Sequence, residues 1–437
     1  MEENEIMVLS SEKRKKKSSL WNINFILLWQ GQMVSSLGDT VYQIALGFWI
    51  LAFTGSTALM GTLMAASMIP KLIVSPFAGV WVDRLNRKWI IVLTDALRGV
   101  IITFLGTAAI FGFIEIWMVF TAGIIMGLCG AFFNPAMGSV LPDIVPNDKI
   151  VKANSVYNMA VTGTNVVGTV SGGYLYTLLG APILFLVNGI SYIFSAFTEV
   201  FMKIPHINRE TENGNFKEDF KEGIKFSWNL KGLRYIMILA CGINFFSQIG
   251  FILLMPMFQG AGGLGEEKYG VIMGILTAGM LVGMAFLSIY NLKSDKKYFA
   301  FMLSSILCFG AALFVPFIRN FYGLSFIVFL IGVFNSILNT ILFSTLQLVV
   351  PQNMRGKVLS ILSTLTQGLT PLGMLIAGVM AEFIPIRAVI FFGFGCDFIL
   401  ALGFMFIKSF KKFISFDPEL HSLEDVINEN ENIVCEA

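Results

Sequence analysis

Apolar runs of 20 or more residues recur about a dozen times along this chain, separated by short polar segments and broken inside by Gly or Ser rather than by charge. A run of that length spans the ~30 Å hydrocarbon layer of a bilayer as a helix. No water reaches that layer, so every backbone group must be paired within the segment, and the runs are too long and too uniformly apolar for alternating barrel strands. The pattern predicts spans near 24–53, 58–82, 89–111, 115–137, 152–179, 181–202, 233–259, 268–290, 297–318, 321–346, 357–383 and 385–407. The expected fold class is an all-α integral membrane protein with twelve transmembrane helices.

Charge orders these helices. Of the 30 Lys and Arg, 25 fall in segments that this threading places on one side, and only Lys268, Arg319 and Arg387 fall on the other. Basic residues accumulate in cytoplasmic loops, so both termini are expected in the cytoplasm and the protein in the cell membrane. Residues 1–20, ending in Lys13-Arg14-Lys15-Lys16-Lys17, form a polar N-terminal tail; the run after them is too long for a cleaved signal peptide. Residues 203–232 form a polar linker whose second part, from Phe216 to Trp228, has bulky residues at every fourth position, as in a helix lying on a membrane surface. Residues 409–437 are expected to be an acidic cytoplasmic tail.

An internal repeat divides the rest. A shift of 205 residues places Gly127 on Gly332, Asn134 on Asn339, Val145-Pro146 on Val350-Pro351, Gly163 on Gly368, Gly168 on Gly373 and Gly173 on Gly378. The fourth and fifth helices are thus echoed by the tenth and eleventh. Two pseudo-symmetric six-helix bundles, 21–202 and 233–408, are expected, with a binding cavity between them.

The short stretch between the second and third helices reads Gly79-Val-Trp-Val-Asp83-Arg84-Leu-Asn-Arg87-Lys88. It is expected to be a charged cytoplasmic loop, with Gly79 letting two helix backbones approach closely. It resembles the major facilitator superfamily, whose loop at this place reads Gly-x-x-x-Asp-Arg-x-x-Arg-Arg/Lys. The resemblance implies a transporter working by alternating access, and implies that Asp83 latches the two halves at the cytoplasmic face against the start of the eleventh helix, near Arg355 and Lys357. Gly38-Asp39 in the first helix and the linker around Glu222 and Arg234 are similar to the macrolide-efflux and enterobactin-exporter branch, a drug:proton antiporter type.

Charged residues inside the apolar runs are the candidate chemistry, because an ionisable group in a membrane is costly unless it has work to do. Asp39 is ~22 Å from the cytoplasmic end of its helix at the standard rise, where a carboxylate cannot reach headgroups; it is either a group that binds and releases protons or a structural hydrogen-bonding acid. Lys71, ~17 Å into the second helix, lies at similar depth; it either pairs with Asp39 or faces an aqueous cavity unpaired. Asp95 and Arg98, three apart on one helix face, read as a structural ion pair. Asp397, deep in the last helix, is a second protonatable site or a neutral acid bonded to backbone. Glu199, near Lys203, reads as a solvated helix end.

The fifth helix carries Gly168-Thr169-Val170-Ser171-Gly172-Gly173 where drug antiporters of the superfamily have Gly-Pro-x-x-Gly-Gly. The glycines Gly168, Gly172, Gly173, Gly373 and Gly378 are expected to allow close helix packing, while Thr169 in place of proline argues against a kink there. Composition excludes other classes. With 56% hydrophobic and 13% charged residues this is no soluble domain, and a net charge of +2 offers nothing to nucleic acid. The five cysteines are scattered and the two histidines, His206 and His421, lie in polar segments, so no metal site, disulfide framework or cofactor is expected. The expected partners are a small-molecule substrate, protons and membrane lipid, with the chain a monomer. The leading reading is a proton-coupled exporter of amphipathic compounds, macrolide-like drugs or siderophores. Its rivals are uptake, or movement of lipid or a metabolite, by the same fold, and an integral membrane transferase; the last needs clustered acids or a His/Asp pair, which the sequence lacks.

Overall fold

The computed structural model describes residues 20–204, 216–260, 263–290 and 292–416. The basic run Lys13–Lys17, His206, His421 and residues 417–437 of the tail lie outside the described residues. The helices, in order, are α1 (Ile23–Thr54), α2 (Thr57–Arg84), α3 (Arg87–Ile110), α4 (Ile116–Ile144), α5 (Ile150–Val200), α6 (Phe216–Asn229), α7 (Lys231–Ile252), α8 (Leu254–Gln259), α9 (Glu266–Ile289), α10 (Ser294–Ala312), α11 (Phe321–Val349), α12 (Gln352–Gly368), α13 (Thr370–Phe383), α14 (Ile386–Gly403) and α15 (Lys408–Ile414).

Eleven stretches among the described residues are long and apolar enough to cross a membrane. One of them, α5, has 51 residues, a length of ~76 Å that no single crossing needs. Its backbone breaks at Gly180, whose φ of 74° suits glycine alone, and the chain re-enters helix with Pro182 near the new start, where a missing N–H costs nothing. The two limbs of α5 bring the crossings to twelve. The first limb runs through Thr169 without a break.

Two spans are interrupted where the apolar pattern is continuous. α7 gives way to α8 at Leu253, and α12 to α13 at Leu369. Pro256 and Pro371 stand just beyond each break; a proline ring collides with the carbonyl four residues earlier, so the preceding helix ends there. The polar stretch from Gly79 is also different from the expected loop. α2 continues to Arg84 and α3 starts at Arg87, so only Leu85 and Asn86 connect them. Asn86 caps α3 by accepting the Lys88 N–H at 3.1 Å.

The chain forms two compact units. The first contains the described residues up to Trp49 and those from Ala66 to residue 204; the second contains Ile50–Ala65 and the described residues from 216 on. Each has its own core. In the first, Phe25, Leu28, Ile91 and Val140 are fully buried; in the second, Leu233, Leu346, Val358, Phe410 and Phe413 are. The second core thus extends past residue 408 into α15, where Gly232 makes room for the Phe413 Cβ, 2.9 Å from where a Cβ on the glycine would be. Within this unit Glu382 at the end of α13 closes the start of α2: its Oε1 accepts from Ser56 Oγ at 2.6 Å and from the Ala58 N–H at 2.9 Å.

The repeat is visible in packing. Gly127 faces the Ser67 carbonyl on α2, and Gly332 faces the Leu276 carbonyl on α9. Gly168 packs on Thr40 of α1, while Gly373 packs on the Phe245 carbonyl of α7, the two partners again differing by the 205-residue shift. A side chain at any of these positions would push a helix pair apart. The linker helix α6 packs through Gly223 on Ile361 and Lys357 of α12, with Lys357 and Glu222 paired at 2.6 Å, and leaves Phe220, Ile224 and Trp228 exposed.

Candidate functional site

In the first unit, α1, α3 and the second limb of α5 bring a set of polar side chains together inside an otherwise apolar bundle. Asp39, in the middle of α1, is half-buried; Asn188 Nδ2 donates to its Oδ1 at 3.4 Å and the Tyr192 hydroxyl is a further partner. Gly38 lets the helices meet there, since a Cβ on it would lie 2.6 Å from Asn188 Oδ1 and 2.7 Å from Ser191 Oγ. On α3, Asp95 and Arg98 pair at 3.3 Å, both buried. The Arg98 guanidinium also lies over the rings of Phe133 at 4.8 Å and Tyr192 at 5.5 Å. Tyr192 therefore touches both the Asp39 carboxylate and the Arg98 cation.

Glu199 belongs to the same cluster, which corrects the reading of it as a solvated helix end. It is fully buried, and its Oε1 accepts from Gln32 Nε2 and from Ser195 Oγ, each at 3.2 Å. Four residues along a helix return to the same face, so Ser191, Ser195 and Glu199 form one polar stripe turned toward α1. That stripe was the sequence signal for it. Glu199 Oε2, Asp95 Oδ2 and Arg98 Nε have no hydrogen-bond partner among the described residues.

Lys71 does not pair with Asp39. It is exposed, outside ion-pair distance of that carboxylate, and influences it and Arg98 only through their charges. Its stem passes Gly130, where a Cβ would lie 3.7 Å from Lys71 Cδ and 3.5 Å from Arg98 Nη2, so the glycine lets two basic side chains share one space. An exposed ammonium on a spanning helix requires water in front of it. Three carboxyl groups, Asp39, Asp95 and Glu199, thus stand with two cations, Arg98 and Lys71. Full ionisation of the three would leave a net charge in a medium that tolerates little.

Around the α2–α3 connection, Arg87 Nη1 pairs with Asp143 Oδ2 at 2.7 Å, joining the start of α3 to the end of α4, and Lys88 lies over the Trp89 ring at 5.8 Å. Nothing among the described residues lies within 4 Å of a Cβ built on Gly79. The side chains of Asp83 and Arg84 lie outside the description. Arg355 turns back to the Gln347 carbonyl at 2.6 Å. Asp397, in the second unit, is completely buried; it bonds a side chain rather than backbone, its Oδ2 accepting from Ser247 Oγ at 2.6 Å.

The chain matches the model of the Major Facilitator Superfamily over residues 28–374. It is 22% identical over 381 residues to macrolide efflux protein A of Streptococcus pyogenes, covering 85% of this chain and 93% of that protein. It is 29% identical over 300 residues to the putative bacilysin exporter BacE of Bacillus amyloliquefaciens, covering 65% of this chain and 71% of that one. Among solved structures, the nucleoside transporter NupG superposes with a TM-score of 0.64 at 16% identity, over 88% of this chain and 98% of that one. A bacterial homologue of the iron transporter ferroportin in an inward-facing state superposes with a TM-score of 0.65 at 16% identity, over 91% and 100%.

Proposed function

The chain belongs to the major facilitator superfamily, and on that premise we propose that it is a proton-coupled exporter of amphipathic small molecules in the cell membrane, with both termini in the cytoplasm. Its two six-helix halves, joined by the 203–232 linker, alternate the access of a substrate site. The carrying observation is the polar cluster of the first unit, in which Asn188 and Tyr192 hold Asp39, Gln32 and Ser195 hold Glu199, and Asp95 pairs with Arg98, while Lys71 acts through its charge alone. Such a set takes up and gives back one proton with little rearrangement, because the hydrogen-bonding partners stay in place whichever carboxyl holds it. Similarity to macrolide efflux protein A, and to a protein named as a putative bacilysin exporter, supports export as the direction.

Asp39 is the principal coupling residue in this reading, and Lys71 tunes it at a distance from the water-filled side. In inside-out vesicles with an imposed proton gradient, Asp39→Asn should abolish gradient-driven uptake of exported compounds while leaving exchange down a substrate gradient. A variant that accumulates compound as the parent does would move the coupling site elsewhere. Asp83 is proposed as the cytoplasmic latch when the cavity opens outward, drawn to the start of α12 by the partial positive charge of a helix N-terminus. Asp83→Asn should then raise the labelling of cytoplasmic-cavity cysteines; equal labelling in parent and variant would remove the latch.

A further inference from the structure

The second unit contains a cavity of about 240 Å³. Its walls are apolar and soft, with Met257, Met273 and Met280 beside Phe251, Phe309 and Phe394. Methionine and phenylalanine accommodate varied apolar bodies, and methionine sulfur and ring faces are polarisable toward a cation. The polar part of the lining is Ser247, Gln248, Asn335 and Asp397. Two of these present acceptors with nothing to accept from: Asp397 Oδ1 and Gln248 Oε1 are buried and have no hydrogen-bond partner among the described residues. The other Asp397 oxygen is already held by Ser247 at 2.6 Å, which leaves Oδ1 as the unpaired one. Among the described residues, no Lys or Arg lines the cavity.

A carboxyl and an amide oxygen left unpaired in an apolar chamber each carry a desolvation cost that a donor would relieve. The complement is a head with several N–H donors and a positive charge, on a compact apolar body. The volume is below the 300–1,000 Å³ usual for drug-sized ligands, so a macrolide is too large for it. We infer that this cavity is a binding site for small primary amines with an apolar body, whose ammonium bonds Asp397 Oδ1 and Gln248 Oε1 while the body lies among the methionines and phenylalanines. The site lies within one unit, so it needs no contribution from the Asp39 cluster and is independent of the direction or coupling of transport.

The test is equilibrium binding of radiolabelled 4-phenylbutylamine to the full chain in lipid nanodiscs at pH 7, corrected with excess unlabelled amine. The neutral isostere 4-phenylbutan-1-ol serves as competitor. The amine should compete at least tenfold better than the alcohol. Asp397→Asn should weaken the amine tenfold or more and leave the alcohol unchanged, and Gln248→Leu, which keeps the acid, should weaken the amine severalfold. If Asp397→Asn does not fold, the Gln248→Leu result and the amine-to-alcohol ratio in the parent still decide. Equal competition by amine and alcohol overturns the assignment, as does parent-like amine binding in Gln248→Leu together with any folded Asp397→Asn, or a loss that appears in Asp39→Asn instead.

Discussion

Replacing Arg98 by Met tests how the polar cluster of the first unit is held. Asp95 is 0% exposed and Arg98 7%, and the pair closes at 3.3 Å. The two partners are not equally dependent on each other. Asp95 has Arg98 as its ion-pair partner, and its Oδ2 has no hydrogen bond among the described residues. Arg98 keeps two aromatic faces at 4.8 and 5.5 Å and feels Asp39 and Glu199 as well. Arg98→Met therefore strands a buried carboxylate, at about 3–5 kcal/mol, and forfeits cation–π contacts of about 0.5–2 kcal/mol each. Asp95→Asn keeps the cation among its rings and the remaining acids, and should cost about 1–3 kcal/mol. The double variant leaves no charge of that pair behind, so it should recover about 2 kcal/mol relative to Arg98→Met alone. The assay is unfolding of the purified protein by increasing SDS fraction in mixed micelles at fixed pH 7, followed by tryptophan fluorescence. Equal costs for the two single variants, or a double variant as unstable as their sum, would refute the asymmetry.

Two further expectations use contacts in the second unit. A Cβ on Gly373 would lie 2.6 Å from the Phe245 carbonyl, whereas one on Gly79 meets open space, so Gly373→Leu should sharply reduce folded yield and Gly79→Leu should not, as read by size-exclusion profiles of fluorescent fusions; equal yields would mean the α7–α13 contact is dispensable. Glu382 closes the first turn of α2 through Ser56 and the Ala58 N–H, so Glu382→Gln should lose the charge term of about 0.3–1 kcal/mol while Glu382→Ala loses about 1 kcal/mol or more, in the same SDS titration; an unchanged Glu382→Ala would show the contact to be neutral.

The membrane crossings were legible because a bilayer imposes one length and one polarity on every span, and the apolar runs carry both. What the runs concealed were their breaks: Pro256 and Pro371 sit inside continuous apolar stretches, and only backbone geometry shows the helices stopping at Leu253 and Leu369. Asp39 stood out as a charge in mid-helix. Its partners did not, because Asn188 and Tyr192 come from about 150 positions later and look like ordinary polar residues of an apolar helix. Glu199 was misread for a local reason. Its neighbour Lys203 suggested water, while Gln32 and Ser195 provide the hydrogen bonds that let it stay buried. For Lys71 the sequence leaves pairing with Asp39 and an unpaired place at a cavity equally open, since depth along two helices says nothing about the faces they present; the structure has it exposed and outside ion-pair distance.

The same 205-residue shift that aligns the glycines places Tyr192 on Asp397, Tyr42 on Ser247 and Asp39 on Asn244. In each unit an acid thus sits between the first and last helices of its six-helix set, but on opposite helices: on α1 in the first, facing a tyrosine, and on α14 in the second, facing a serine. The scaffold is repeated and the charge environment is not. Asp39 shares its surroundings with Arg98 and Lys71, whose charges reach it and offset part of the cost of burying an ionised carboxylate. Asp397 has one hydroxyl partner, an apolar chamber and, among the described residues, no cation on its walls, so its ionised form has a cationic partner only if one enters. The two acids are therefore expected to separate in function: Asp39→Asn should change the response to an imposed proton gradient, and Asp397→Asn should change the preference for an amine over its alcohol isostere. If each variant altered both properties to the same extent, the two units would share one site and this division would fall.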